Sequence, residues 1–527
     1  MTVLVAEPEP PAGRGRAASS DRRSRALLLA AVAACAACGL VYELVLLTLS
    51  ASLTGGGITQ TSLIVTGYVA ALGVGALLAK PLLGHAATAF VAVEIMLGVA
   101  GGLSAVALYV SFSFYGTSTA VLVGATAVLG ALVGAEVPLL MTLLQTGRTG
   151  DARTSGAVLA NLNAADYAGA LVGGLAWPFL LLPAVGQVRG AALTGMLNLA
   201  AAAVVAGFLL RHRMSRRALA TAVVALLGAA AALAVLLVRA DDIEVTARQR
   251  LYADPVVTAE QSPYQEIVVT ERRGDVRLYL NGDLQFSSVD EHRYTEALVH
   301  PVLARDPERV LILGGGDGLA AREVLRHPSV RDVVQVELDP AVLELAGGRL
   351  AELNGNALAD PRVRVVVDDA FTWLRAVRDE RFDAVVVDLP DPDTLPLARL
   401  YSTEFYGLVA AALRPDALVV VQAGSPYSTP TAYWRTVSTV ASAGFAVTPY
   451  HVHVPSFGDW GFVLGSTAPD APSLNMSPAA PPLRFLDEQV LVAAGVFPRD
   501  RQPQVLPPTT LDRPRVVDDL RQGYVGQ

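Results

Sequence analysis

Cysteine and charged side chains are both scarce in this 527-residue chain. Cys35 and Cys38 are the only cysteines, and they stand in an apolar run, so a disulfide framework is excluded and small helix-packing residues are the better interpretation. Charged residues make up 17% of the chain and hydrophobic residues 53%, which is unusually apolar for a soluble protein. The net charge of −8 argues against a nucleic-acid partner.

The apolar excess lies in the first half of the chain. Residues 1–25 are rich in Pro, Ala, Ser and Arg and predict a disordered N-terminus. Residues 26–240 predict a transmembrane helical domain, because apolar segments recur, each close to the roughly 20 residues that cross a hydrocarbon core. We predict about seven spans, at 26–48, 61–79, 87–110, 119–144, 157–181, 190–210 and 218–238.

Four acids fall inside these predicted spans: Glu43, Glu94, Glu136 and Asp166. Acids inside a membrane are costly, and they face the interior of a helix bundle or a wet cavity. A cation path or binding site is one explanation. Helix-to-helix hydrogen bonds, or positions nearer the interface, are the other, and the sequence leaves both open.

The composition changes at about residue 240 to that of an α/β protein. Two alternating strands around a turn predict a small β-domain over residues 241–308. Repeated strand–helix units over residues 309–466 predict a Rossmann-like, doubly wound parallel sheet covered by helices, with a hairpin at its edge. Residues 467–527 predict a linker rich in Pro, Ala and Ser, followed by a C-terminal tail.

A glycine turn marks the predicted ligand site of this second half. Gly314, Gly315 and Gly316 directly follow an apolar strand, and glycines there let a ligand lie against bare backbone. Glu337 ends the next strand about 20 residues on, where nucleotide-binding units place an acid on the ribose hydroxyls. Asp317 would repel a pyrophosphate. The expected ligand is therefore a nucleoside with a cationic appendage.

Acids stand at the carboxyl end of each predicted parallel strand: Asp317, Glu337, Asp368, Asp369, Asp388 and Asp391. In open α/β sheets the ligand lies outside these ends. Several carboxylates around one crevice create a strongly negative potential, so the substrates should be cations. Crowding also raises the pKa of some carboxyl groups, which makes one of them a plausible general base near neutral pH.

With these residues, the half from about 250 to 465 resembles spermidine synthase, the polyamine aminopropyltransferase family. The resemblance rests on Tyr264-Gln265, LYLNGDLQF at 278–286, DEHRYTEALVHPVL at 290–303, LGGGDG at 313–318, VELD at 336–339, DDAF at 368–371 and DLPDPD at 388–393. Taken over its whole length, the chain resembles the membrane-fused actinobacterial form.

The resemblance implies transfer of an aminopropyl group from decarboxylated S-adenosylmethionine, a co-substrate, to putrescine or a related amine. It needs no metal and no cofactor. By similarity Asp388 is the catalytic base. Similarity also assigns the donor side to Gln265, Gly314, Gly316, Glu337, Asp369 and Ala370. We expect amine contacts from Asp317, Asp391, Thr295 and Tyr427. A homo-oligomer, dimer or tetramer, in the cell membrane with its catalytic half in the cytoplasm is also expected.

Three departures from the family pattern, all on the acceptor side, leave the acceptor amine open. Thr295 stands where the family has His or Gln, Val454 where it has Tyr, and Leu389-Pro390 where it has small hydroxylated residues. Two other functions stay open at this point. One is an S-adenosylmethionine-dependent methyltransferase, although Asp317 would repel its donor's carboxylate. The other is a membrane transporter whose second half senses polyamines.

Overall fold

The chain divides into two units, Met1–Ala253 and Asp254–Gln527, close to the predicted change at residue 240. The structure is a computed structural model that describes residues 14–54, 58–115, 118–145, 152–377 and 379–525.

Long helices build the first unit. They are α1 (Arg14–Thr54), α2 (Ile58–Leu78), α3 (Ala86–Tyr115), α4 (Thr119–Gln145), α5 (Ala152–Ala176), α6 (Leu182–Val204) and α7 (Arg216–Leu251). Helix α1 begins at Arg14, because Arg and Ala are strong helix formers and no proline interrupts them. Disorder was predicted for residues 1–25, so the structure corrects that prediction from Arg14 onward, while residues 1–13 lie outside the described residues.

Six helical stretches of the described residues are long and apolar enough to cross a membrane, by length and composition. The fifth, Leu159–Phe208, is too long for one crossing, and it reverses direction near Gly186, whose φ of 75° is not helical. The Trp177 ring lies directly against Gly190, although a continuous helix would hold these residues about 20 Å apart. The described residues therefore form seven long helices, and their passage through a membrane stays a prediction.

The helix directions follow from close contacts. Helix α6 runs in the opposite direction to α5 after the reversal near Gly186. Helix α7 runs back along α6, since Arg189 near the start of α6 pairs with Asp241 near the end of α7 at 2.5 Å. Helices α1 and α5 run parallel. Two glycine contacts show this: Gly169 on Ala33, and Gly173 on Ala37. The N-terminal ends of α1, α5 and α7 therefore lie at the same end of the helical unit.

The second unit starts with a four-stranded antiparallel sheet. Its strands are β1 (Val256–Gln261), β2 (Glu266–Arg272), β3 (Asp275–Leu280) and β4 (Asp283–Ser287), in the order β1-β2-β3-β4. This is the predicted small β-layer, of which the sequence indicated β2 and β3.

A seven-stranded sheet follows, with the order β10-β11-β9-β8-β5-β6-β7. The strands are β5 (Arg309–Gly314), β6 (Asp332–Glu337), β7 (Val363–Val367), β8 (Phe382–Asp388), β9 (Leu413–Gln422), β10 (Ala446–Val454) and β11 (Gly458–Ser466). Strands β5 to β9 pair in parallel, and β10 and β11 form an antiparallel hairpin at the edge. The Rossmann-like prediction is confirmed. Because the chain leaves β5 toward β6 and later returns to β8 on its other side, a crevice opens at the carboxyl end of β5.

Helices flank this sheet. They are α8 (Glu291–Val299), α9 (Leu319–Leu325), α10 (Pro340–Gly347), α11 (Ala370–Ala376), α12 (Leu395–Ala398), α13 (Thr403–Ala412) and α14 (Pro430–Ser442). The apolar runs of β5 and β8 are fully buried between them, which suits strands covered on both faces.

The C-terminal segment, predicted as a linker and a tail, packs onto the second unit. It contains α15 (Glu488–Ala494) and α16 (Arg515–Val525). The Glu296 carboxylate accepts hydrogen bonds from three successive backbone N–H groups at residues 484–486, at 2.8 to 2.9 Å. Arg435 and Asp519 form an ion pair, and Leu520 is buried. Its Pro-rich composition gives irregular backbone, but its buried apolar side chains make it part of the fold.

Candidate active site

The glycine turn brings two strand ends into direct contact. Gly314 and Gly315 have φ values of 83° and 62°, which side-chain-bearing residues rarely adopt. The Gly315 N–H donates to the Asp388 carbonyl at 2.9 Å. A Cβ at Gly316 would lie 2.6 Å from Glu337 Oε2. The glycines are thus required by the close approach of the acids at the ends of β6 and β8.

Asp388 ends β8 at the centre of the crevice. Its Oδ1 accepts a hydrogen bond of 2.6 Å from the Tyr294 hydroxyl, which α8 supplies. Burial raises the pKa of Asp388 to about 6, and the Tyr294 hydrogen bond works against this rise. Asp388 is therefore largely ionised at neutral pH but holds a proton more readily than an ordinary aspartate, which suits a general base.

Asp317 and Glu337 lie on either side of the glycine turn. Burial raises the pKa of each to about 7, and for Asp317 the neighbouring Asp388 charge adds to the rise. Asp317 Oδ1 accepts from the Leu319 N–H at 2.8 Å, and Glu337 Oε1 accepts from the Asp339 N–H at 2.9 Å. These buried carboxyl groups would gain from a cation that enters the crevice, because it would stabilise their ionised forms.

A side-chain network holds the loop that carries Asp391. The Gln422 amide donates to Asp391 Oδ1 at 3.3 Å, and to the Leu389 carbonyl and the Tyr401 hydroxyl at 2.5 Å each. Tyr401 in turn donates to the Leu389 carbonyl at 3.0 Å. Asp391 and Asp388 are thus fixed on one loop beyond β8.

The predicted donor-side residues lie at the other end of the crevice. Gln265 donates to Asp339 Oδ2 at 3.0 Å, two residues beyond Glu337. Asp369 caps α11 by accepting from the Thr372 N–H at 2.9 Å, and its other oxygen pairs with Arg399 at 2.6 Å. Ala370, the first residue of α11, is buried. The donor contact of Asp369 stays a prediction, and its pairing with Arg399 was not anticipated.

Two predicted acceptor contacts, Thr295 and Tyr427, have other partners in the structure, and their contact with an amine stays a prediction. Thr295 is buried, and its hydroxyl donates to Glu291 Oε2 at 3.0 Å. Tyr427 is 59% exposed, and its ring lies under the Arg501 guanidinium at 4.8 Å. Successive helical residues point about 100° apart, so when α8 turns Tyr294 to the crevice it turns Thr295 away.

Sequence analysis missed three contributors to the crevice: Tyr294, Tyr401 and Gln422. Tyr294 stands inside the motif run at 290–303, next to Thr295. The sequence does not show which side of α8 faces Asp388, and that was the missing information. Tyr401 and Gln422 lie 12 and 33 residues beyond Leu389 in the chain, and only the fold brings them to the loop after Asp388.

We expect Tyr294→Phe to move the acidic limb of the kcat/KM pH profile upward by about one pH unit. A hydrogen bond to a charged group contributes about 1.5 to 3 kcal/mol, and one pH unit corresponds to 1.36 kcal/mol. The lost hydroxyl no longer stabilises ionised Asp388, so its pKa rises. Steady-state kinetics between pH 5 and 9 measure the limb. If the acidic limb does not shift, the Tyr294 hydroxyl does not control the pKa of the base.

The raised pKa values also predict how stability depends on pH. Asp317 and Glu337 bind protons more tightly in the folded chain than when unfolded. Their contribution to stability is therefore fully present below the unfolded pKa near 4 and is lost as the pH rises through about 7. We expect the thermal stability of the ligand-free chain, relative to the Asp317→Asn/Glu337→Gln variant, to fall between pH 4.5 and pH 8. A constant difference across this range would contradict the burial of both groups.

Comparisons with known proteins add four findings. Residues 291–477 match the family model described as "Spermine/spermidine synthase domain". The "Polyamine aminopropyltransferase" of Mycobacterium tuberculosis (strain ATCC 25618 / H37Rv) is 63% identical over 515 residues, which cover 97% of this chain and 98% of that protein. "Polyamine aminopropyltransferase 1" of Streptomyces coelicolor is 48% identical over 529 residues, with 99% and 98% covered. A solved spermidine synthase in complex with the transition state analogue AdoDATO is 28% identical, with a TM-score of 0.44, and covers 46% of this chain and 86% of that chain.

Proposed function

Since the chain belongs to the polyamine aminopropyltransferases, we propose that it transfers an aminopropyl group from decarboxylated S-adenosylmethionine to putrescine or a related amine. The observation that carries this is the crevice at the end of β5. There the partly buried carboxyl groups of Asp317, Glu337 and Asp388 meet around a glycine turn. Both substrates are cations, so a crevice of acids suits them.

The reaction follows from this arrangement. One acceptor nitrogen gives a proton to Asp388. It then attacks the aminopropyl methylene carbon that is bonded to the sulfonium sulfur. The new C–N bond forms as the C–S bond breaks, and methylthioadenosine leaves as a neutral thioether. No cofactor takes part, because the positive sulfur already activates the leaving group. Positioning and charge complementarity supply the rest of the catalysis.

Each acid in the crevice receives a separate role. Glu337, against the Gly316 backbone, holds the donor ribose, with Gln265 and Asp369 farther along the same side. Asp317 and Asp391 hold ammonium groups. The loop after Asp388 is apolar where the family has hydroxyl groups, since Leu389 is buried there. We therefore leave the acceptor as putrescine or a related amine.

The test uses the full chain in detergent or lipid, with radiolabelled decarboxylated S-adenosylmethionine. Methylthioadenosine formation is followed with putrescine, cadaverine, agmatine and spermidine as acceptors. We expect product only when an amine acceptor is added. Methyl transfer from S-adenosylmethionine to any of these amines, without aminopropyl transfer, would replace the proposal with a methyltransferase.

We also propose that the helical unit spans the cell membrane, that the chain is a homo-oligomer, and that the catalytic unit faces the cytoplasm. Six apolar helical stretches support the first point. The donor's fixed positive charge supports the last, because a sulfonium does not cross a bilayer unaided.

The arginines favour the opposite placement of the catalytic unit. Residues 14–25 and 211–217 lie at the α7 N-terminal end of the unit, which the positive-inside rule assigns to the cytoplasm. The positive-inside rule is a statistical bias, whereas the fixed charge of the donor is a physical barrier to crossing.

Cysteine labelling in intact cells decides the orientation. Val505 is 98% exposed in the second unit, so Val505→Cys in a chain with Cys35→Ala and Cys38→Ala offers one accessible thiol. We expect a membrane-impermeant maleimide to label it only after permeabilisation. Labelling of intact cells to the same extent would place the catalytic unit outside.

A further inference from the structure

The interior of the helical unit contains a set of polar side chains that the transferase reaction does not use. We name it the acceptor cluster, after its hydrogen-bond acceptor atoms and not after the acceptor amine of the reaction. Its members are Tyr42 on α1, Glu94 on α3, Glu136 on α4 and Asn198 on α6. Tyr42, Glu94 and Asn198 are 0% exposed and Glu136 is 5% exposed. Four different helices thus bring polar side chains to a place that solvent does not reach.

The oxygen atoms of this cluster lack hydrogen-bond partners among the described residues. They are Tyr42 Oη, both carboxylate oxygens of Glu94, Glu136 Oε1 and Asn198 Oδ1. The Cys35 thiol and the Asn198 side chain both lie beside the Glu94 carboxylate, but neither reaches hydrogen-bond geometry with its oxygens. Asn198 Nδ2 donates at 2.8 Å to the backbone carbonyl of Glu94 instead.

The surroundings of the acceptor cluster are apolar. One cluster of buried side chains, including Leu97 and Leu129, packs on one side, and a second, including Phe90 and Leu139, packs on the other. In such surroundings an ionised carboxylate without a partner costs several kcal/mol, and a buried charge is normally paired. Three carboxyl oxygens without partners, both of Glu94 and one of Glu136, therefore point to a ligand that compensates them.

The chemistry of the free atoms limits the ligand. Carboxylate and amide oxygens only accept hydrogen bonds, so the ligand must donate several and carry positive charge. A primary ammonium has three N–H donors and forms charge-assisted hydrogen bonds with carboxylates. No group of three His, Cys, Asp or Glu side chains in the described part of the chain is arranged to hold a metal ion.

We propose that the acceptor cluster binds the terminal ammonium group of a polyamine inside the helical unit. The hydrogen-bond acceptor atoms of the cluster support an ammonium group as the ligand. That this ammonium belongs to a polyamine rests on the proposed function. The chain would then have two polyamine sites, one at the catalytic crevice and one within its helices.

The test measures binding of radiolabelled spermidine to the full chain in lipid nanodiscs at pH 7. We expect two saturable sites in the wild-type chain, and at least tenfold weaker binding at one of them in Glu94→Gln. Glu43→Gln is the matched control, since Glu43 is an acid on α1 outside the cluster and only half-buried. Turnover of both variants should stay within about twofold of wild type. Unchanged two-site binding in Glu94→Gln would overturn the proposal.

A second readout needs no substitution. Dicyclohexylcarbodiimide modifies protonated carboxyl groups in apolar surroundings, and peptide mass spectrometry locates the adduct. We expect spermidine to protect Glu94 and Glu136 of the wild-type chain, and sodium chloride at equal concentration not to. Labelling that spermidine does not reduce would make the cluster a proton site and overturn the proposal, as would equal protection by sodium. A chain without aminopropyl transfer but with protected Glu94 would refute the proposed function alone.

Discussion

Asp388→Asn is expected to lower kcat about 100- to 10,000-fold, the usual effect of removing a positioned general base. In the wild-type chain the Tyr294 hydroxyl donates to Asp388 Oδ1 at 2.6 Å. The asparagine keeps the shape of the side chain and can still contact this hydroxyl. It cannot take the proton of the attacking amine. In the proposed arrangement other residues hold the donor nucleoside, so methylthioadenosine should bind within about twofold of its wild-type affinity.

Asp383→Asn is the matched control for this experiment. Asp383 stands on the same strand, β8, but at its amino end, where its carboxylate accepts from the Arg309 N–H at 2.9 Å. Its loss should affect stability and leave kcat within a few-fold of wild type. If Asp388→Asn retains more than half of wild-type turnover, or if both variants lose turnover equally, Asp388 is not the base.

Much of the catalytic unit could be predicted because its signals are local. The apolar run of β5, the three glycines and the acid at the end of β6 follow one another within about 30 residues, and backbone sterics determine each step. The edge hairpin of β10 and β11 was also predicted, since both runs are apolar and separated by a short turn. Strands β1 and β4 were missed because they are short and partly exposed.

The parts that could not be predicted depend on contacts between distant residues. The C-terminal segment has the composition of a linker, and only the Glu296 carboxylate, almost 190 residues earlier, explains why residues 484–486 are held. Asp369 and Arg399 pair across 30 residues. Tyr294 and Thr295 are adjacent in sequence, and the orientation of α8 decides which one reaches Asp388. Motif matching cannot supply that orientation.

The helical unit shows the same division. Apolar length predicted its helices, and the reversal near Gly186 explains how one continuous apolar stretch forms two of them. The sequence also indicated that Glu94 and Glu136 are unusual, but not that they share an interior with Tyr42 and Asn198. Separate helices bring these four together, and no local pattern records their convergence.

Glu337→Gln is expected to weaken methylthioadenosine binding about 10- to 100-fold. A charge-assisted hydrogen bond contributes about 1.5 to 3 kcal/mol, and each 1.4 kcal/mol is a factor of ten in affinity. Glu337 lies against Gly316. Its separation from the glycine turn along the sequence is the one at which an acid meets ribose hydroxyls. The amide keeps the shape but loses the charge, so the nucleoside should lose more affinity than the diamine.

Isothermal titration with methylthioadenosine measures this effect, with the acceptor KM determined in parallel. Asp332→Asn is the matched control, because Asp332 begins the same strand, β6, and pairs with Arg309 at 2.6 Å, away from the crevice. The control should bind the nucleoside with wild-type affinity. The effect should also depend on pH: since burial raises the pKa of Glu337 to about 7, the wild-type advantage should shrink as the pH falls through about 7. Equal affinity of Glu337→Gln and wild type at pH 8 would mean that the glycine turn only joins strand to helix.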